Sequence, residues 1–175
     1  MKTIVIYKST SGFTKKYAEW ISQDLQADIV KYSKINVKAL QNYGTIIFGG
    51  CLHAAGISGV NIIKRNLLKL KNKKIIVFAT GASPANEDLV NELKNTNFNA
   101  EELKYIKFFY FRGGFDYNKL DLMNKIIMAL FKLKILLKHK RTPDEKGMLA
   151  AFSKPVDATN KSYIKDLIAY AKIGR

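Results

Sequence analysis

One feature constrains the fold more than any other: short β-branched apolar runs alternate with stretches whose apolar residues recur every three or four positions. Thr3-Ile4-Val5-Ile6-Tyr7 reads as a first buried strand. Residues 28–32 read as a second, Thr45-Ile46-Ile47-Phe48 as a third ending in Gly49-Gly50, Lys74-Ile75-Ile76-Val77-Phe78-Ala79 as a fourth, and the aromatic-rich 105–111 as a fifth. Between them, Tyr17, Trp20, Ile21 and Leu25 fall at helical spacing. Val60, Ile63, Leu67 and Leu70 predict another helix. Leu89, Val90 and Leu93 predict a third, running to about Asn95, with Pro84 suited to its first position. Tyr163, Ile164, Leu167, Ile168, Ala169, Tyr170 and Ile173 predict the last. Strands alternating with helices imply βαβ units, hence an α/β fold: a three-layer, doubly wound, five-stranded parallel sheet. The 175 residues form one domain, 1–175, with enough chain to bury a core without staples. One stretch breaks the alternation, about 115–147, and reads as a basic helical insert after the fifth strand.

Charge narrows the partners. Thirty Lys+Arg against 14 Asp+Glu give +16, which favours an anionic partner. The single cysteine, Cys51, excludes an internal disulfide and any multi-cysteine zinc site, and no metal is expected. A core strand at residues 3–7 leaves no room for a signal peptide. No apolar run reaches the ~18 residues of a membrane-spanning helix. The expected location is cytoplasmic.

In a doubly wound sheet, ligands bind beyond the carboxyl ends of the strands, so three loops matter. Ser9-Thr10-Ser11-Gly12-Phe13-Thr14 follows a strand and opens a helix, whose free N–H groups and positive end attract phosphate. It lacks the glycine and lysine spacings of nucleoside-triphosphate and dinucleotide loops and suits a terminal monophosphate. The competing reading is an ordinary Ser/Thr helix cap. The second loop, 49–59, carries four glycines besides Cys51 and His53. Its glycines suit close approach to a flat ligand. Cys51 with His53 as its base would form a nucleophilic pair, but in extended backbone the two side chains are expected to point apart, and the plain reading is a small thiol beside an edge imidazole. In the third, Thr80-Gly81-Ala82-Ser83-Pro84-Ala85-Asn86, small residues leave room for a ring system, unless it is a simple βα turn.

The insert is distinctive. Between Lys119 and Arg141 there are seven basic residues and one acid, Asp121. Leu122, Met123, Ile126, Ile127, Leu130, Leu133 and Leu137 make one apolar face, widened by Phe131, Ile135 and Leu136. Lys125 and Lys132 flank it on one side, Lys134 and Lys138 on the other. This is the pattern of a helix in a membrane interface or against a partner; the alternative is an amphipathic helix packed on the sheet. The aliphatic excess argues against nucleic acid.

Taken together, the three loops resemble the flavodoxin-like, FMN-binding family. Residues 9–14 are similar to its Thr/Ser-x-Thr-Gly-x-Thr phosphate loop, with Ser11 at the second Thr. The resemblance implies strand order 2-1-3-4-5 and an isoalloxazine ring held between the loops after strands three and four. It assigns the cofactor to Ser9, Thr10, Ser11, Gly12, Phe13, Thr14, Gly50, Cys51, Leu52, His53, Ala54, Thr80, Gly81, Ala82 and Ser83. Neither ring loop carries Trp, Tyr or Phe, so His53, Leu52 or backbone would replace a stacking aromatic. Phe111-Arg112-Gly113-Gly114-Phe115-Asp116, the Lys-rich stretch after it, and Asp144-Glu145-Lys146-Gly147-Met148 resemble the branch of menaquinone-dependent protoporphyrinogen oxidase and related flavodoxin-domain proteins.

The expected activity is that of an FMN oxidoreductase, passing electrons to a quinone or taking them from an anionic small molecule, at the inner face of the cell membrane. His53, Arg112 and Asp116 are the candidates for positioning or catalysis. The alternatives are a flavodoxin-type electron carrier, which the basic charge disfavours, and a flavin-free binding module.

Overall fold

The computed structural model describes residues 2–120 and 122–173; the acid expected inside the insert, Asp121, lies outside them. Five parallel strands, β1 (Thr3–Lys8), β2 (Asp28–Lys31), β3 (Thr45–His53), β5 (Lys74–Gly81) and β6 (Ile106–Arg112), form the sheet in order β2-β1-β3-β5-β6. The two-residue β4 (Gly56–Ile57) folds back antiparallel on the end of β3. Counted by the five parallel strands, the order is 2-1-3-4-5, as the resemblance implied.

Strand alternation divides the core in two, because successive side chains point to opposite faces. Ile4, Ile6, Ile46, Phe48, Ile75 and Val77 face α2 (Asn61–Lys64), α3 (Leu67–Leu70) and α4 (Glu87–Asn97), with Ile63, Leu67, Leu70 and Leu93 completing the layer. Val5, Ile47, Ile76 and Phe78 face α1 (Phe13–Leu25) and the carboxyl-terminal α8 (Lys165–Lys172), meeting Tyr17, Ala18, Ile21 and Leu167. The short α5 (Ala100–Leu103) leads into β6 and begins with an Asn99–Glu102 capping box.

Two expected helices start or stop elsewhere. The segment from Val60 to Leu70 is two short helices, because the Asn66 amide donates to the Ile62 carbonyl (2.8 Å) and Asn66 has left helical geometry (ψ 4°). The α4 helix begins at Glu87, not Pro84: Asn86 caps it by accepting from the Leu89 N–H at 2.8 Å, with Glu87 and Asp88 favourably placed at its positive end.

After β6 the chain makes an excursion longer than residues 115–147. It comprises β7 (Gly114–Phe115), α6 (Leu122–Leu136), α7 (Pro143–Ser153) and β8 (Val156–Asp157), and it closes where β8 pairs antiparallel with β7. Thr142 and Glu145 form a capping box at the start of α7. Among the described residues, no helix is long and apolar enough to cross a membrane.

Candidate functional site: a cleft at the strand ends

A cleft of about 460 Å³ opens at the carboxyl end of the sheet, within the size range of small-molecule sites. Its floor comes from the three loops: Thr10, Ser11 and Phe13; Cys51, Leu52, His53 and Ala54; Thr80, Gly81 and Ala82. The excursion supplies the opposite wall, through Phe115, Asp116, Leu120, Ile127, Met128 and Met148.

The loop after β1 is built to leave donors free. Gly12 is the cap residue of α1, with φ 97°, and no side chain caps the helix. The first helical hydrogen bond runs from the Lys16 N–H to the Gly12 carbonyl at 3.0 Å. The N–H groups of Phe13, Thr14 and Lys15 therefore have no partner within the helix. Ser9 Oγ accepts from the Gly12 N–H at 3.1 Å, which closes the turn ahead of the helix without touching those three. The Ser/Thr-cap reading is thus corrected: the hydroxyls shape the loop, and glycine occupies the cap. The first turn holds no acid. A Cβ on Gly12 would meet nothing within 4 Å, but the left-handed backbone disfavours any side chain there.

Thr14 turns inward. Its hydroxyl shares a hydrogen bond with Thr80 Oγ1 at 2.7 Å, fully buried, and this ties the first loop to the third. Thr10 Oγ1 lies 3.5 Å from Cys51 Sγ, which brings the second loop to the first.

Cys51 and His53 do not diverge. Both lie on β3, where residues two apart share a face, and Cys51 Sγ is 3.7 Å from His53 Nε2. The expectation that they point apart is corrected by the strand geometry. Glycines 49 and 50 lie inside β3 as well: a Cβ at Gly49 would strike the Phe78 ring at 2.1 Å, and one at Gly50 would strike Ile57 at 2.6 Å. Both glycines make room for protein packing. The turn into β4 passes through Ala54 at φ 52°. Asn97 holds it there: its side-chain Oδ1 accepts from the Ile57 N–H (2.8 Å), and its Nδ2 donates to the Ala55 and Leu93 carbonyls (2.7 and 2.8 Å). Nothing in the spacing around Asn97 announces this role, since it reads as one more polar residue late in a helix.

Of the other sequence candidates, Ser9, Gly12, Thr14, Gly50 and Ser83 do not line the cleft: Thr14 and Gly50 are buried, Ser9 is half-buried, and Gly12 and Ser83 are exposed outside it. The Ser83 carbonyl accepts from the Tyr110 hydroxyl at 2.7 Å. Nor does Arg112 line the cleft: its Nε donates to the Ala82 carbonyl at 3.3 Å, and its own carbonyl accepts from the Tyr17 hydroxyl at 2.6 Å. Asp116 reaches the cleft and is buried, accepting from the Asn118 N–H at 3.1 Å and pairing with Lys119 at 3.2 Å. Burial pushes the Tyr17 and Tyr110 hydroxyls up to about 12 each.

The ring loops carry no aromatic of their own, yet the folded cleft has two. Phe13 comes from the first loop and Phe115 from β7, the latter backed by Phe152 at 5.4 Å between centroids. The signal for Phe115 was the Arg-Gly-Gly-Phe-Asp run, whose Gly113 N–H donates to the Gly81 carbonyl at 2.7 Å and so lays the start of the excursion against the third loop. Free helix-end donors, a small-residue floor and apolar walls fit a ligand with a phosphate at one end and a flat ring system at the other, as a flavin mononucleotide has.

Comparison with known proteins gives the family. A family model described as a flavodoxin domain matches residues 4–142. The chain is 30% identical over 105 residues to an uncharacterized protein of Methanocaldococcus jannaschii, covering 56% of this chain and 69% of that one. Among solved structures, it is similar to a flavodoxin from the domain Archaea (20% identity, TM-score 0.43, 68% of this chain and 89% of that one). It is also similar to the Trp repressor binding protein from Bacillus subtilis (20%, TM-score 0.49, 81% and 100%). With a family model spanning most of its length and a sheet in the matching order, the chain belongs to the flavodoxin-domain family.

Proposed function

We propose that the protein binds FMN in the strand-end cleft and works as an oxidoreductase, with a quinone as electron acceptor and an anionic reduced molecule as donor. The carrying observation is the uncapped start of α1, with Gly12 at φ 97° and no acid in the first turn, opening onto a cleft walled by Phe13, Phe115, Leu120, Ile127, Met128 and Met148. In this reading the N–H groups of Phe13, Thr14 and Lys15, with the hydroxyls of Thr10 and Ser11, hold the phosphate. Leu52, His53, Ala54, Gly81 and Ala82 flank the ring. Bound there, a flavin supplies reversible two-electron chemistry. The apolar wall admits a lipid-soluble reactant and excludes water, and positioning is the chain's main task. Asp116 is held by Asn118 and Lys119, which suits it to orienting a reactant more than to moving protons. The strongly basic chain draws a carboxylate-bearing donor by long-range attraction, and protoporphyrinogen is the first donor to try.

Ser11→Glu tests the cofactor, since it places negative charge on the phosphate loop without disturbing the left-handed Gly12. Purified protein carrying flavin absorbance, with at least a tenfold loss of bound FMN in the variant at unchanged circular dichroism, is the expected result. Equal FMN content in the two proteins rejects the site. Quinone reduction is scored separately with a menaquinone analogue, and a flavin-loaded protein that reduces none of the quinones offered removes that half of the proposal.

A further inference from the structure

The α6 helix is folded inside out. Its side toward the protein carries Asn124, Met128 and Ile135, with Lys125 and Lys132 half-buried beside them; Ile135 is its one buried residue, 2% exposed. At 100° per residue, Leu122, Leu133, Ile126, Leu130 and Met123 fall on a single arc, continued by Leu137 just past the helix end. That arc faces solvent: Leu122 is 76% exposed, Leu130 64% and Leu137 75%, with Met123, Ile126 and Leu133 about half exposed or more. The sequence allowed a helix whose apolar face packs on the sheet, and the structure turns that face the other way. A patch of this extent on a folded protein marks a surface that something covers.

We infer that this arc docks on an anionic lipid bilayer, with α6 lying in the plane of the interface. The charges around the arc select that occupant. Lys134 rims one side, beside Lys138, which is ion-paired with Glu145, and Lys125 and Lys132 rim the other, with His139, Lys140 and Lys146 exposed nearby, on a chain of net charge +16. Long lysine stems lie along an apolar surface while their ammonium groups reach the headgroups. A second copy of the chain would bring the same lysine rims and another +16 against the first, which like-charge repulsion opposes. At about 1.5 Å per residue the 15 residues of α6 reach roughly 22 Å, short of the ~30 Å hydrocarbon core, so the helix rests on the bilayer and does not cross it. Ile127 belongs both to the exposed face and to the cleft wall. Docking therefore sets the mouth of the cleft at the lipid surface, where an apolar reactant enters without crossing water; this last step rests on the cleft being the redox site.

Flotation of the full chain with vesicles tests the surface. Phosphatidylglycerol-containing vesicles are expected to carry the protein up a density gradient, and pure phosphatidylcholine vesicles at least tenfold less. The triple variant I126E/L130E/L133E, with none of its positions in the cleft wall, is expected to lose flotation at least tenfold while keeping its circular dichroism and bound FMN. K134E/K140E is expected to weaken flotation and flatten its salt dependence. Flotation of the triple variant equal to that of the wild type overturns the proposal, as does equal flotation on neutral vesicles. A wild type that ignores vesicles but sediments as a dimer, made monomeric by the triple variant, assigns the arc to a second copy instead. Loss of FMN with flotation intact breaks the flavin reading and leaves the docking surface standing.

Discussion

The sheet and the excursion use the same residue types in opposite ways. In the sheet, Val5, Ile47, Ile76 and Phe78 are sealed on one face and Ile6, Ile46 and Val77 on the other, and every covering helix turns its apolar stripe inward. In the excursion, Leu122, Ile126, Leu130 and Leu137 form an equally regular stripe that points away from the protein. Burial of apolar surface, worth roughly 25 cal/mol per Å², stabilises the first region within the chain itself. The second realises that energy only against something else. Periodicity thus reports that a helix has an apolar face, and says nothing about which neighbour receives it.

The sharpest break between the two regions is a pair of truncations. Phe78→Ala opens a cavity between β3, β5 and α1 and is expected to cost about 3–5 kcal/mol, enough to lower the urea midpoint severely. Leu130→Ala, equally large on paper, is expected to stay within about 0.5 kcal/mol. A comparable loss in both would mean that α6 is buried in solution. Next in size is the buried hydroxyl pair beneath the cleft. Thr14→Val leaves Thr80 without its partner and is expected to cost about 1–3 kcal/mol, whereas T14V/T80V removes both polar atoms and recovers most of the loss; additive losses in a double-mutant cycle would reject a coupled pair.

The seam between sheet and excursion gives a pH signature. Tyr17 donates to the Arg112 carbonyl and accepts from the Asn160 N–H, and burial lifts its hydroxyl from 10.0 to about 12. The native state holds this proton where the unfolded chain has released it, so the stabilisation is complete below pH 10 and disappears as pH rises toward 12. Denaturation midpoints between pH 9 and 12 are expected to fall less steeply in Tyr17→Phe than in the wild type; parallel slopes would exclude Tyr17 as the source. The smallest effect is expected at the ion pair between Lys16 and Asp157, 2.9 Å long and half exposed. Burial pushes the Asp157 carboxyl up, but hydrogen bonds from Thr159 and Lys16 outweigh it and hold the carboxyl below its usual range. Asp157→Asn is expected to cost less than about 1 kcal/mol, and what is lost should be lost in the wild type as well when the pH falls through the Asp157 titration.

Much of this was legible in the residues. The apolar runs located all five parallel strands: β1, β3 and β5 read as unbroken β-branched runs because they are buried on both faces, while the exposed edge strand β2 and the aromatic β6 carry weaker versions of the signal. The turn after β1 was visible as a Ser/Thr/Gly loop opening a helix. What escaped depended on single side chains acting at a distance from their own pattern: Asn66 interrupting a helix through the Ile62 carbonyl, and Asn97 fastening the turn after β3. The Cys51–His53 geometry was readable from strand parity once β3 was known to extend to His53. The outer wall of the cleft was readable only where it starts, in the Arg-Gly-Gly-Phe-Asp run that carries Phe115 and Asp116. Met128 and Met148 line the same cleft as Thr10 and Leu52 only after two helices have folded back, and no local spacing encodes that return.

The way the excursion begins and ends has a consequence for how such a chain can change. Gly113 donates to Gly81, Ala158 donates back to Gly113, and Gly114 and Phe115 pair with Asp157 and Val156. Departure and return thus share one two-rung clasp at the rim of the sheet. Everything from 116 to 155 hangs from that clasp as a detachable cassette, whose length sets neither the register of β6 nor the seat of α8. Such a segment can be lengthened, trimmed or replaced at the modest entropic cost of a longer or shorter loop, giving one strand-end floor a different outer wall without redesigning the floor.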